Sequence, residues 1–326
     1  MIGIFYGTRP EYIKLLPVLD SLDQRGVMYH LVQLGQHTTL IEGCKFDEHV
    51  KVSNRTVHRL NDIFHTALGY SMDKFKYVLV QGDTTTAVAV AQSAFNQGVP
   101  VMHVEAGMRT YDKKNPFPEE VNRRIISSLA TVHYCPTLRE KNYLQDEGFS
   151  DDAILVVGNT VIDNLQGRKS TQGKTVVVTM HRRENQSNLK DWYQEIESLA
   201  SEFANYDFVF PMHPSPQVQK HKGIFKHVRV IGAVDHETIL DMLASCHCVI
   251  TDSGGVQEES SFFGKRCFVC RTATERPCPG QELCKSPEDL YLKFTRNFKT
   301  TFNEVTPFGD GHAGEKIAED IQRRIR

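Results

Sequence analysis

The chain has 326 residues, with 38 Lys plus Arg against 40 Asp plus Glu, a net charge of −2, 40% hydrophobic residues and 24% charged residues. This composition excludes a wholly disordered, collagen-like or coiled-coil chain, and near-neutrality argues against a general nucleic-acid binder. One core seldom fills so long a chain, so two domains are expected.

In chain order, short apolar runs alternate with helical stretches. Residues 2–6 read as a strand, 10–22 as a helix and 30–34 as a strand. A strand over 77–81 precedes an Ala-rich helix over 85–96. A strand over 99–104 and a helix over 119–129 follow, and strands over 131–135 and 154–157 complete a first set. After a polar seam at 166–173 the pattern restarts with a strand over 175–179, a helix over 189–203 and strands over 208–211 and 228–231. It continues with a helix over 238–245, a strand over 248–251, a helix over 256–263 and a strand over 266–270. A charged helix over 314–326 closes the chain. Such alternation predicts βαβ units and parallel sheets, hence an α/β fold with two doubly wound halves facing a crevice.

The opening Met1-Ile2-Gly3-Ile4-Phe5-Tyr6 has neither a basic n-region nor an apolar h-region, and no apolar run nears the about 20 residues that span a bilayer. A cytoplasmic chain with free thiols and no membrane partner is expected. Cys246-x-Cys248 and Cys267-x-x-Cys270 have metal-like spacing. Cys267 to Cys270, however, reads as a buried strand, where Cys behaves as a small hydrophobe, so no metal is expected.

In open α/β sheets the loops after the strands face the ligand. The first carries Gly7-Thr8-Arg9-Pro10-Glu11, where Thr8 can cap the helix and a cation at Arg9 suits a bound anion. Gly82-Asp83-Thr84 and Glu105-Ala106-Gly107 follow the next strands, and Pro118-Glu119-Glu120 opens a helix. Asp83 could serve only as a cap, and Glu119 only as a helix-dipole residue. Together Asp83, Glu105 and Glu119 could form an acid/base set. In the second half His181-Arg182-Arg183 and His213 are candidate proton or phosphate groups. Ser253-Gly254-Gly255 opening a helix is a candidate anion cradle, with Glu259 one turn in, placed to take a ribose. No GxxxxGK[ST] and no GxGxxG after the first strand are present, which argues against a P-loop NTPase and an NAD fold. The residues alone point to a nucleotide-sugar enzyme.

Several of these motifs, taken as an ordered set from Gly7 to Gly311, resemble the non-hydrolysing UDP-N-acetylglucosamine 2-epimerase family of bacteria. They are Gly7-Thr8-Arg9-Pro10-Glu11 with Lys14, Gly82-Asp83-Thr84-Thr85-Thr86, His103-Val104-Glu105-Ala106-Gly107 and Pro118-Glu119-Glu120 with Asn122-Arg123. Gly158-Asn159-Thr160, His181-Arg182-Arg183-Glu184-Asn185, Thr251-Asp252-Ser253-Gly254-Gly255 through Glu259, Thr274-Glu275-Arg276-Pro277 and Pro307-Phe308-Gly309-Asp310-Gly311 complete the set.

The resemblance implies a GT-B fold, with residues 1–166 and 308–326 in an N-terminal Rossmann-like domain, 167–307 in a UDP-binding one, and the last helix crossing back. It implies reversible C2 epimerisation of UDP-GlcNAc to UDP-ManNAc, by elimination of UDP to a 2-acetamidoglucal and re-addition, as a supply for surface polysaccharide. No NAD and no required metal are implied, and the partners are a nucleotide sugar and a second copy of the chain in a homodimer. Asp83, Glu105, Glu119 and His181 correspond to the catalytic set. Arg9, Lys14, Arg182, His213, Ser253, Gly254, Gly255, Glu259 and Arg276 correspond to substrate and UDP contacts. Gln36, Glu120 and Arg183 match part of a site where UDP-GlcNAc acts as an activator. The chain departs from the family at Cys278-Pro279-Gly280-Gln281, so the same chemistry on a related UDP-acetamido-sugar is an alternative, as is a GT-B glycosyltransferase.

Overall fold

Every strand pairing among the described residues is parallel. Central strands in such sheets are covered on both faces, which is why their sequences are nearly unbroken apolar runs. A computed structural model describes residues 1–35, 43–52, 58–299 and 306–326 and resolves two units. One comprises Met1–Asn164 and Phe308–Arg326, the other Leu165–Pro307.

The first unit runs β1 (Ile2–Tyr6), α1 (Arg9–Gln24), β2 (Tyr29–Leu34), β3 (Glu48–Val50), α2 (Arg59–Leu68), β4 (Tyr77–Gln81) and α3 (Thr85–Asn96). It continues with β5 (Val101–Val104), α4 (Glu119–Leu129), β6 (Ala130–Cys135), α5 (Leu138–Asp146), β7 (Ile154–Val156) and α6 (Thr160–Asp163). Its strand order is β3-β2-β1-β4-β5-β6-β7. The order therefore turns at β1, with β2 on one side and β4 on the other, and Ile4 stands in register with Leu79. Ile2, Ile4, Tyr6 and Leu79 face a core with Leu15, Leu19 and Leu22 of α1. Phe5, Val78 and Val80 face the opposite core with the Ala-rich α3.

The second unit runs β8 (Thr175–Thr179), α7 (Leu189–Glu202), β9 (Asp207–Pro211), α8 (Pro216–Gln219), β10 (Arg229–Ile231) and α9 (His236–Ser245). Then come β11 (Cys248–Thr251), α10 (Gly254–Phe262), β12 (Arg266–Cys270), β13 (Gln281–Cys284) and α11 (Pro287–Asn297). The order is β10-β9-β8-β11-β12-β13, which turns at β8. There Thr179 and Thr251 are register partners whose hydroxyls lie 2.6 Å apart. Val178, Trp192, Phe208, Ile250 and Phe268 build its core.

The chain then returns to the first unit as α12 (Ala313–Ile325), which packs Ile317, Ala318 and Ile321 into the α1 core. Asp163 accepts from the Ala313 and Gly314 amides at 3.0 and 2.6 Å, anchoring the positive end of this helix. The Tyr134 hydroxyl donates to Asp320 at 2.9 Å. Gly314 is required by closeness: a Cβ there would lie 2.5 Å from the carbonyl carbon of Pro17 in α1.

Several elements differ from the sequence reading. The helices α2, α5 and α11, the one-turn helices α6 and α8, and the edge strands β3 and β13 were not expected. Edge strands this short take their extended form from one neighbour rather than from their own pattern. The helix α10 begins at Gly254, two residues earlier than its apolar pattern implies, so both glycines belong to the helix. Cys267 and Cys270 lie in buried β12, as expected, and all eight cysteines are free thiols. Among the described residues no helix is long and apolar enough to cross a membrane.

Replacing Gly314 by Ala forces α12 off α1. We expect a loss of about 1–3 kcal/mol in chemical denaturation despite the better helix propensity of Ala. Unchanged or increased stability would contradict this packing.

Candidate active site

In the first unit the polar groups gather at the carboxyl ends of β1, β4 and β5. Thr8 caps α1, and Glu11 completes a capping box with it. One Glu11 oxygen accepts from the Gly7 amide, the Thr8 amide and the Thr8 hydroxyl at 3.1, 2.7 and 2.7 Å. The other accepts from the Thr84 hydroxyl at 2.7 Å. Burial pushes the Glu11 carboxyl up to about 7, against the lowering effect of these bonds. Arg9 is the exposed first residue of α1.

Asp83 follows β4. Thr84, not Asp83, caps α3, accepting from the Ala87 amide at 3.1 Å. The Asp83 carboxylate is thereby left for another task. Its Oδ2 accepts from Arg123 Nε at 2.7 Å, its carbonyl accepts from Asn122 Nδ2 at 2.8 Å, and its side chain keeps 23% of its surface exposed. Preceding it, the Gly82 carbonyl accepts from His103 Nε2 at 2.7 Å. Burial first, and Arg109 in lesser part, hold His103 down to about 4, so the ring is neutral with its proton on Nε2.

Glu105 follows β5 with φ 64°, a left-handed conformation that costs a non-glycine residue on the order of 1 kcal/mol or more. Its Oε2 lies 2.5 Å from both Lys14 Nζ and Gln81 Nε2. Such strain is held in place by neighbours, and here a cation and an amide do so. Glu119 is the half-buried first residue of α4. Glu120 beside it is fully buried, accepting from the Thr110 and Tyr111 amides at 3.0 and 3.1 Å and from Arg123 at 3.2 Å.

In the second unit the groups lie at the ends of β8, β9 and β11. Asp252, fully buried, accepts from the His181 amide at 3.1 Å, the Arg182 amide at 2.8 Å and Asn185 Nδ2 at 3.0 Å. One carboxylate thus fixes the whole loop after β8. The His181 ring stacks on His213 with centroids 5.1 Å apart and planes at 10°. His213 Nδ1 accepts from the Ser215 amide at 3.1 Å. Surrounding protein lowers the His181 pKa; Asp252 opposes this, while His213 and Arg182 add to it.

Ser253 precedes α10 without a side-chain capping bond, and its own amide donates to Thr251 Oγ1 at 2.9 Å. The first turn of this nine-residue helix therefore offers amides suited to an anion. Arg276 packs closely on Gly254, where a Cβ would lie 3.1 Å from its Nη1. Arg276 in turn is held by Glu258 at 2.7 Å and Glu275 at 2.5 Å, and Glu275 meets Arg271, which reaches Glu184 at 2.6 Å. This alternating chain of charges links the loops after β8 and β12 to α10. Glu259 Oε1 lies 2.8 Å from His236 Nε2, a bond that raises the His236 pKa.

The first unit thus brings together Arg9, Lys14, Asp83, Glu105, Glu119 and Glu120 around one sheet edge. The second does the same with His181, Arg182, His213, Ser253, Gly254, Gly255 and Glu259. Lys14, Glu120, Glu259 and Arg276 are engaged by protein groups, so each orients a neighbour as it stands. Gln36 lies outside the described residues, as does the side chain of Arg183. Glu11, Arg123 and Asp252 stand in motifs quoted from the sequence but were given no site role there, and Gln81 and His236 were given none either. Glu11 carried the signal of a capping box, three residues after Thr8, and Asp252 that of an acidic residue between a strand end and Ser-Gly-Gly.

A family model described as UDP-N-acetylglucosamine 2-epimerase matches residues 25–322. A UDP-N-acetylglucosamine 2-epimerase of Neisseria meningitidis is 31% identical to the chain and covers 97% of it and 97% of its own length. The S. aureus MnaA–UDP structure superposes with a TM-score of 0.88 at 30% identity, covering 99% of this chain and 96% of that one. The Neisseria meningitidis UDP-GlcNAc 2-epimerase structure bound to UDP-GlcNAc has a TM-score of 0.87 at 29% identity, covering 99% of both chains. The expected GT-B class, with two parallel-sheet Rossmann-like domains, is borne out by these likenesses.

Replacing Asp252 by Asn removes the charge that raises the His181 pKa. That pKa should fall further in an NMR titration of the histidine rings; an unchanged or raised value would contradict the arrangement.

Proposed function

The chain belongs to the UDP-N-acetylglucosamine 2-epimerase family, and on that premise we propose that it interconverts UDP-GlcNAc and UDP-ManNAc by elimination and re-addition of UDP. The observation that carries the reading is the pair of carboxylates at adjacent strand ends, Asp83 and Glu105, each fixed by a cation. A second set of anion-binding groups ends the strands of the other sheet.

The chemistry follows from those groups. The C2–H of the sugar is weakly acidic, so a placed carboxylate must take its proton. The bond electrons form C1=C2 as the C1–O bond breaks, and both electrons of that bond leave with UDP. The amides of Ser253, Gly254 and Gly255, with His181 and Arg182, are suited to the charge growing on the departing diphosphate. Return of a proton to the other face of C2, with attack of the UDP oxygen on C1, gives the epimer. Opposite faces require two proton-bearing groups, and Asp83, Glu105 and Glu119 supply the candidates. Electrons balance without a hydride carrier, so the route itself calls for no NAD. Glu259 fits the ribose, Arg9 the diphosphate.

The reading extends to a cytoplasmic homodimer that supplies surface polysaccharide and responds to UDP-GlcNAc as activator, each open to direct assay.

Proton NMR of UDP-GlcNAc incubated with the enzyme should reveal UDP-ManNAc; its absence at high enzyme concentration would overturn the reading. The Asp83→Asn variant should turn over about 100-fold more slowly or worse while UDP affinity stays within about threefold. Near wild-type turnover would remove Asp83 from the proton-transfer set.

A further inference from the structure

Resting on the epimerase reading, we propose that Glu11 is a positioning residue for the reaction, tying the loop that carries Arg9 to the loop that carries Asp83. The tie is a single buried carboxylate bridging two loops 73 residues apart in sequence. One oxygen gathers the Gly7 and Thr8 donors, which set the turn out of β1 and the start of α1. The other accepts from Thr84 Oγ1, and that hydroxyl also accepts from the Ala87 amide. Both capacities of the Thr84 hydroxyl are thus used to set the start of α3 against the start of α1. Asp83 is its immediate neighbour.

The same face of α1 reaches further. Lys14 lies three residues after Glu11, hence on the same side of the helix, and holds Glu105 at 2.5 Å. One helix face therefore places both carboxylates of the sheet edge, through Thr84 for Asp83 and through Lys14 for Glu105.

A capping box alone does not explain Glu11. That motif needs a bond to the Thr8 amide and is satisfied at a surface. Here the residue is 2% exposed, and its hydrogen-bond donors are all uncharged. The Glu11 charge also adds to the raised pKa of Tyr6 in β1, after burial, Cys44 and Tyr12. A carboxyl whose folded pKa lies near 7 rather than 4.5 weakens the fold as pH rises through that interval. The placement opposes stability, which is expected of a group kept for function.

The test compares Glu11→Ala, Glu11→Gln and Thr84→Val with wild type. Gln can still span the loops, its oxygen accepting from the Gly7 and Thr8 donors and its amide donating to Thr84. Below the melting temperature, Glu11→Ala should lower kcat by about tenfold or more, with a smaller change in KM. Glu11→Gln should recover kcat to within about threefold and be no less stable than wild type near pH 8. The Ala and Val effects should not multiply in the double variant. Amide exchange over residues 82–86 should quicken in Glu11→Ala but not in Glu11→Gln, a readout that needs no substrate. Undiminished kcat in folded Glu11→Ala, independent multiplication of the two effects, or unchanged exchange would each overturn the proposal. An inactive wild type with the exchange pattern intact would instead sink the epimerase reading alone.

Discussion

A parallel sheet cannot keep its strand order in one direction from edge to edge when the chain starts in its middle. Somewhere two neighbouring strands send their following loops to opposite faces, and the gap between those loops is where a ligand can enter. This constraint governs both halves of the chain. In the first unit the gap lies between β1 and β4, where Arg9 and Asp83 follow. In the second it lies between β8 and β11, where His181 and Ser253 follow. The chemistry collects at these places because the topology leaves them open.

Loops at such a gap are held by buried carboxylates. Asp252 gathers two amides and an Asn side chain, Glu120 two amides and a guanidinium, and Glu11 two amides and two hydroxyls. Each does for a loop what hydrogen-bonded ladders do for strands. A neutral acceptor satisfies fewer donors, whereas a carboxylate offers two oxygens and about four lone-pair sites. The cost is desolvation, seen most clearly at Glu11. The groups proposed to act on substrate stand one step outward: Asp83 beside Thr84, His181 beside the Asp252 anchor, Glu105 strained and pinned by Lys14.

Much of this was legible in the sequence where the signal is local. The apolar runs marked the central strands because those strands are buried on both faces. Thr8 read as a cap, and Ser-Gly-Gly read as a helix opening, because both depend on a few adjacent residues. The partners were not legible. Arg123 is 40 residues from Asp83 and Lys14 is 91 from Glu105, and no periodicity links them. Arg276, read as a contact for substrate, is held by Glu258 and Glu275 and packs against Gly254, a placement only the fold reveals. The edge strand β13 takes in Gln281, the end of the departing Cys278–Gln281 loop, since its pairing with β12 decides its form. Ser286-Pro287 does carry a local start signal for α11, a cap followed by Pro at the first turn.

The central claim is that a carboxylate removes and returns the C2 proton of a UDP-acetamido-sugar. Its most direct test is turnover of UDP-GlcNAc in deuterated water, followed by NMR at C2. The account predicts that deuterium enters C2 of the product as epimerisation proceeds and that the recovered UDP-GlcNAc becomes labelled on approach to equilibrium. Epimerisation with C2 keeping its original hydrogen would contradict it.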